Sequence, residues 1–393
     1  MDDGLVRSIS AGLSQKGVRD HNERLLLSLL QRNGPTPGSD LSRLAGLSPP
    51  TVSGILRRLE SEGLLERGDP VRGKVGKPSV PMRLASNGAF SFGLKIGRRS
   101  ADLVLINFNG ELQQEQHLNY ETPLPDDIFN FVDTGVRQIT QDMGAALAAR
   151  ICGLGIAAPF EMWNWPNNPA DPDPAFGAWQ HTDIKSIAQT RTGLSVSLMN
   201  DATAACQAEH TYGRGKEFRD YAYFFVSAFI GGGIVLNNSV FEGRQGNAGA
   251  LGSLRSIGPN GESMQLVDMG SIHQLELRLQ EVDLDPRQLW IDPDSWHALS
   301  RYVDPWLGQT AQELAKALLS TCAVIDFEAI LIDGSFPASV REDLVRRVRR
   351  YVTTQDTRGL IQPRIESGSI GGKARAIGAA TRPIGAQFML NAI

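Results

Sequence analysis

Apolar residues in the first 65 positions recur at helical spacing in three short segments. The first, 21–33, places leucines on one face, and the second covers 40–45. The third follows Ser48, a favourable N-cap, and has Pro49 at the first helical position. Its apolar face comprises Val52, Ile55, Leu56 and Leu59. This pattern predicts a three-helix unit whose third helix buries one side and exposes the other.

The exposed side of the third helix is small and polar, and two strand patterns follow it. The strands, predicted at 64–67 and 79–84, enclose a basic, glycine-rich tip. Small groups and cations fit a major groove and reach phosphates and base edges. The predicted DNA contacts are Thr51, Ser53, Arg57 and Arg58 on the helix and Arg72, Lys74 and Lys77 on the tip. Segment 1–86 is therefore predicted to be a winged helix-turn-helix DNA-binding domain. A helical protein-interaction domain with a solvated loop is the alternative.

The rest of the chain, 87–393, alternates between strand and helix patterns. The first such run is predicted as strands at 92–96, 101–108 and 112–120, a helix over 127–149 and a strand over 151–157. A comparable strand (221–226), glycine turn (231–233) and returning strand (234–236) follow later. The repeat predicts two related α/β lobes with a ligand cleft between them, and two unrelated hairpins are the alternative. A small-residue helix, 374–380, is suited to close packing against a sheet.

Composition narrows the class of protein. The 393 residues are 41% hydrophobic and 21% charged, as in globular domains. Residues 1–80 carry a net charge of +3 although the whole chain carries −4. This difference fits an N-terminal segment that binds a polyanion. Three distant cysteines cannot form a disulfide framework or a paired-cysteine metal site. No membrane span or signal peptide is predicted, so we expect a cytoplasmic protein without membrane contact.

Five motifs follow the predicted winged helix in this order: LGIAAPF (154–160), NDATAACQAE (200–209), FIGGGIVLNNSVFEG (229–243), NAGALG (247–252) and GGKARAIGAA (371–380). Together they resemble the regulator branch of the ROK family of repressors and sugar kinases. The resemblance implies an α/β body with a two-lobed, actin-like (ribonuclease H-like) fold. It also implies a sugar-type effector in the interlobe cleft and assembly into a homodimer or tetramer.

The chain departs from the family's kinases at two motifs. Their phosphate loop begins with an aspartate, where this chain has Lys95, and lysine cannot hold Mg²⁺. The Glu-x-Gly-His motif of the family's sugar sites is Ala250-Leu251-Gly252-Ser253 here, without carboxylate or imidazole. We therefore expect no ATP, no family-type zinc and no catalytic residues. The basic residues Lys95, Arg98 and Arg99 either bind an anion or form a solvated turn.

Candidate effector contacts follow from the resemblance and from an unusual insertion. Asn200 and Asp201 match the family's Asn-Asp pair, whose aspartate contacts a sugar hydroxyl; a helix cap is the alternative for Asp201. Asn247 is added from the NAGALG segment. The insertion carries Trp163, Trp165 and Trp179, which suit stacking on a carbohydrate or anchoring of the loop on the body.

Together these features predict a sugar-responsive, DNA-binding transcriptional regulator that acts as a repressor without kinase activity. Operator DNA, a sugar derivative and a second copy of the chain are the expected partners. Two alternatives remain open: a sugar kinase with a DNA-binding appendage, and a repressor that needs no ligand.

Overall fold

The computed structural model describes residues 15–70, 80–164, 177–258, 260–291 and 295–390. The chain forms two compact units. The first runs to Ala85 and includes the end of the chain from Gly385, whereas the second spans Ser86–Ile384. The sequence predicts a single domain over 87–393. The end of the chain instead groups with the first unit, because hydrogen bonds tie it to the first helix. None of the described helices has the length and apolar character needed to cross a bilayer.

Three helices and a three-stranded sheet build the first unit. In chain order the elements are α1 (Gln15–Asn33), β1 (Thr36–Pro37), α2 (Gly38–Ala45), α3 (Pro49–Ser61), β2 (Leu65–Arg67) and β3 (Pro81–Leu84). The strands lie in the order β1-β3-β2 and pair antiparallel. The four apolar positions predicted for α3 are buried, together with leucines of α1 and α2. Helices followed by a β-hairpin confirm the winged helix-turn-helix architecture.

The second unit begins with a lobe built on a five-stranded sheet, here called the first lobe. Its elements are β4 (Phe90–Ile96), β5 (Ser100–Asn107), β6 (Leu112–Asn119), α4 (Pro125–Met143), α5 (Ala145–Ala148), β7 (Ile151–Ala158), α6 (Ile184–Thr192), β8 (Val196–Asn200) and α7 (Asp201–Tyr212). The predicted helix over 127–149 is two helices, because Gly144 with φ 76° interrupts it. The strand order is β6-β5-β4-β7-β8.

A second lobe repeats this sheet. Its elements are β9 (Tyr221–Val226), β10 (Ile230–Leu236), β11 (Ser239–Phe241), β12 (Arg255–Ile257), β13 (Ser263–Gln265), α8 (Leu266–Gly270), α9 (Ile272–Gln280), α10 (Gln288–Ile291), α11 (Ser300–Val324), β14 (Ala329–Gly334), α12 (Ala338–Val352), β15 (Arg364–Ser367) and α13 (Ala374–Phe388). The order β11-β10-β9-β14-β15 matches the first lobe strand for strand. In each sheet three antiparallel strands precede two parallel ones. The repeat confirms the predicted pair of related lobes.

The glycines predicted as a turn at 231–233 lie instead inside strand β10, and that prediction is wrong. The turn is formed by residues 227–229. The glycines serve packing: a Cβ on Gly231 would stand 2.5 Å from Cβ of Ala202, and one on Gly233 would stand 2.6 Å from Sγ of Cys206. Helix α7 therefore approaches β10 more closely than side chains would permit.

Helix α13 packs against the first lobe through small residues, as predicted for 374–380. A Cβ on Gly93 of β4 would stand 2.8 Å from Cβ of Ala380. The helix begins in the second unit and its last turn belongs to the first. Its first turn lies beside the cavity described below.

Candidate DNA interface and interlobe cavity

Helix α3 presents the predicted DNA-binding face. Ser48 caps the helix by accepting a hydrogen bond from the Thr51 backbone N–H at 3.4 Å. Thr51, Ser53 and Arg57 are exposed on the side opposite the core. Gly54 lies between them, and a Cβ there would meet nothing within 4 Å. The face is therefore open, and its shape and polarity suit a nucleic-acid groove.

Arg58 differs from its neighbour. It is half-buried and forms an ion pair with Glu23 of α1. This contact holds the guanidinium against the helical core, so Arg57 is the better-placed arginine for DNA. The predicted tip residues Arg72, Lys74 and Lys77 lie outside the described residues. The strands that flank the tip are described, and Arg83 of β3 pairs with Glu66 of β2 at 2.8 Å.

A cavity of about 450 Å³ opens between the two lobes of the second unit. Its volume lies in the range of small-molecule sites. Residues at the ends of β4 and β5 and on β6 line it from the first lobe, and residues that follow β14 and β15 line it from the second. The described lining includes six cationic side chains, namely Lys95, Arg98, Arg99, Arg341, Lys373 and Arg375.

Lys95 is buried, so the alternative of a solvated turn is wrong for this residue. Its Nζ donates to Asp102 Oδ2 at 2.8 Å and to Ser100 Oγ at 2.7 Å. Burial lowers the pKa of Lys95, and the attraction of Asp102 opposes that shift. Burial alone would raise the pKa of Asp102, but Lys95 and a hydrogen bond to His117 hold it well below its usual range.

His117 continues this chain of charges on β6. Its Nδ1 contacts Asp102 and its Nε2 lies 2.8 Å from Asn119 Oδ1. The hydrogen bond to Asp102 raises the pKa of His117, although partial burial opposes the shift. Protonation of His117 would add positive charge to a cavity wall that is already cationic.

Arg375 occupies the side of the cavity next to the predicted sugar contact. Its Nη1 lies 3.3 Å from Asp201 Oδ2, and its Nη2 donates to Ser335 Oγ at 3.3 Å. The guanidinium carbon stands 5.3 Å from the centre of the Phe225 ring. Asp201 is therefore engaged by a cation from the chain itself.

Two more ion pairs fix the second-lobe side of the cavity. Arg341 Nη1 lies 2.8 Å from Oδ1 of Asp333, whose side chain is fully buried. Asp333 also accepts hydrogen bonds from the backbone N–H groups of Gly334 and Gly371, each at 2.9 Å. Lys373 pairs with Glu115 of β6 and so joins the two lobes.

The predicted effector residues divide between structural roles and the cavity edge. Asn200, not Asp201, is the N-cap of α7, and its Oδ1 accepts from the N–H groups of Ala202 and Thr203. Asp201 is the first helical residue; it is not part of the cavity lining but contacts the lining residue Arg375. Asn247 lies half-buried in a loop and is not part of the cavity lining.

The stacking role predicted for Trp179 is wrong. Its side chain is 1% exposed, and its Nε1 donates to the Pro123 carbonyl at 2.6 Å. Its ring packs near Phe129 in the first-lobe core. Trp163 is partly buried against the same core, and Trp165 lies outside the described residues. The alternative, in which the tryptophans anchor the loop, describes Trp179.

Sequence reasoning missed several cavity residues, among them Asp102, His117, Arg341 and Arg375. The strand alternation places Asp102 and His117 on one face of neighbouring strands, where register pairs them directly. Pairing the predicted strands β5 and β6 in this register would have been enough to bring Asp102 and His117 together. Arg341 and Arg375 come from distant segments, and only the folded chain brings them to Lys95.

The end of α13 is held within the first unit by hydrogen bonds to α1. Arg24 Nη1 donates to the Ala386 carbonyl at 3.2 Å. Ser28 Oγ accepts from the Leu390 N–H at 3.0 Å, and Met389 is buried beside it. One helix therefore carries Arg375 of the cavity in its first turn and contacts of the DNA-binding unit in its last.

Comparison with known families agrees with this arrangement. A model described as winged helix-turn-helix DNA-binding matches residues 19–66, and the ROK family model matches residues 91–264. The chain contains a ROK family domain behind a winged helix-turn-helix domain. A transcriptional regulator of the ROK family, a homologue of the E. coli MLC protein, has the same fold with a TM-score of 0.64. The two are 19% identical, and the match covers 93% of this chain and 96% of the regulator.

Proteins similar to this chain include a repressor, and a kinase shares its fold. An uncharacterized Sinorhizobium fredii protein, y4fQ, is 23% identical over 95% of this chain and 93% of its own length. The xylose repressor of Bacillus spizizenii is 24% identical, over 61% of this chain and 62% of the repressor. A Streptomyces griseus ROK glucokinase, solved with glucose and AMPPNP, shares the fold with a TM-score of 0.57 and 19% identity. That match covers 75% of this chain and 99% of the glucokinase.

Proposed function

We propose that this protein is a transcriptional repressor of sugar-related genes. In this proposal the winged helix binds operator DNA, and a carbohydrate-type effector binds in the interlobe cavity. The protein works as a homodimer or tetramer, without ATP, zinc or kinase activity. The observation that carries the proposal is the face of α3, which is capped, open and polar around Arg57. The similarity to a xylose repressor supports the sugar-type effector.

Helix α13 supplies a route between effector and DNA. A ligand that moves Arg375 acts on the first turn of this helix, whose last turn is bonded to Arg24 and Ser28 of α1. For such a signal, the effector must bind one state of the protein more tightly than the other.

A sugar kinase is the second candidate, because the fold is shared with a ROK glucokinase. Two features favour the regulator. The family resemblance places the aspartate of the kinases' phosphate loop at the position of Lys95, and Arg375 forms an ion pair with the carboxylate of Asp201. Phosphoryl transfer needs bound metal and positioned phosphates. Sugar-dependent ATP turnover in a coupled assay, lost in Asp201→Asn, would establish the kinase instead.

DNA binding is tested with the full chain and duplexes that it selects from a random library. Fluorescence anisotropy then compares wild type, Arg57→Ala and Arg358→Ala. Arg358 is a matched control because it is 91% exposed and lies in the second unit. We expect Arg57→Ala to weaken binding by about 5- to 150-fold, the equivalent of ~1–3 kcal/mol, and Arg358→Ala to have no effect. Unchanged affinity in Arg57→Ala would remove α3 as the recognition helix.

A further inference from the structure

The interlobe cavity has more positive charge than its own carboxylates balance. Six cationic side chains in the described lining face two carboxylates, Asp102 and Glu115. Two more carboxylates lie outside the lining: Asp201 forms an ion pair with Arg375, and Asp333 forms one with Arg341. A fifth carboxylate, Glu276, attracts Arg98, so the cations of the lining exceed the acids that act on them by one. Because uncompensated buried charge is costly, the site favours an anion from solution.

Two of the arginines also have unused donors. The Nε atoms of Arg341 and Arg375 are buried and have no hydrogen-bond partner among the described residues. The two side chains are 14% and 13% exposed. A buried N–H without an acceptor is unfavourable, and an anionic oxygen supplies the strongest acceptor for a guanidinium. Arg99 adds a half-buried guanidinium to the lining without a carboxylate partner in the described part of the chain.

We propose that the effector is an anionic monosaccharide, bearing a phosphate or a carboxylate that Arg99, Arg341 and Arg375 bind. This inference rests on the proposed function of the cavity as the effector site. The bound anion competes with Asp201 for Arg375. Asp201 is then free to accept a hydrogen bond from a sugar hydroxyl, and the first turn of α13 responds to the ligand.

Thermal shift of the full-length protein tests the proposal at constant ionic strength, held with NaCl. The probes are inorganic phosphate, glucose 6-phosphate, gluconate and neutral glucose. Ligand that binds only the native state raises the melting temperature. We expect a dose-dependent rise with at least one of the three anions and a smaller one with glucose at equal concentration. Glucose 6-phosphate and gluconate separate a phosphate from a carboxylate as the preferred group.

Variants locate the binding. Arg375→Gln and Arg99→Gln should each weaken the apparent affinity of the active anion by at least tenfold, since each removes a charge-assisted contact. Arg99→Gln breaks no ion pair with a described residue, so it tests the site even if Arg375→Gln fails to fold. Arg358→Gln is the control and should bind as wild type does.

Several results would overturn the inference. They are no shift with any of the three anions, an equal shift with glucose, a shift unaffected by both lining variants, or a shift with Mg-ATP alone. The DNA selection described above is independent of these measurements. A protein that binds anions but selects no DNA would contradict the proposed function, and a protein that selects DNA but binds no anion would contradict only this inference.

Discussion

Removal of one partner from the Lys95–Asp102 pair should destabilise the second unit. The two side chains are 7% and 22% exposed, and their charged atoms lie 2.8 Å apart. Removing one member of a buried pair costs about 3–5 kcal/mol. Lys95→Met should fall near the lower end, about 3 kcal/mol, because Asp102 keeps His117 and some solvent. Asp102→Asn should cost at least as much, since Lys95 is the more buried partner.

The double variant Lys95→Met/Asp102→Leu removes both charges together. We expect its loss of stability to be smaller than the sum of the two single-variant losses by at least about 2 kcal/mol, because no buried charge is left unpaired. All six tryptophans lie between 163 and 306, so their fluorescence in urea reports the second unit alone. If the two single losses sum to the loss of the double variant within about 0.5 kcal/mol, the claim that the two residues act as a coupled buried pair is refuted.

Three further predictions follow from individual contacts. Ser48→Ala removes the cap of α3 and should cost the first unit about 1 kcal/mol, measured by hydrogen exchange of its amides; an unchanged exchange rate would argue against the cap. The pKa of His117 is raised by Asp102, so the stability contributed by this contact should be full below the ordinary pKa of 6.5 and disappear as the pH rises through the folded value. The difference in melting temperature between wild type and His117→Gln should therefore shrink towards alkaline pH, and a difference that grows would contradict the assignment. Ser28→Ala loosens the end of α13 and should reduce the effect of effector on DNA affinity while leaving DNA affinity without effector near that of wild type, as anisotropy would show; an undiminished response would exclude this contact from the signal route.

Much of the fold could be predicted from the sequence, because the local patterns agree with the long-range packing. The spacing of Val52, Ile55, Leu56 and Leu59 predicts the buried face of α3, and all four are buried. The repeated strand patterns predict two lobes, and the two sheets have the same order. Local composition misled at 231–233, where glycines usually mark turns. Here they allow contact between β10 and α7, which no local pattern reveals.

The candidate site could be predicted from the sequence only in part. Exposed positions of α3 follow from helical periodicity, whereas the ion pair of Arg58 with Glu23 depends on how α1 crosses α3. Tryptophans in a polar insertion suit both stacking and anchoring, and burial places Trp179 in the core. The cationic cavity joins Lys95, Arg341 and Arg375 across 280 positions of chain. A single sequence contains no signal for that convergence.

The central claim is that an anionic sugar in the interlobe cavity controls DNA binding by the first unit. The most direct test measures the affinity of the full-length protein for a selected duplex with and without saturating glucose 6-phosphate or gluconate, at fixed ionic strength. The account predicts that one of them changes the affinity of the wild type by about 5- to 150-fold, the usual range for allosteric coupling. The same compound, at the same concentration, should have a much smaller effect on Arg99→Gln. Equal affinity with and without both compounds, in a protein that selects DNA, would contradict the claim.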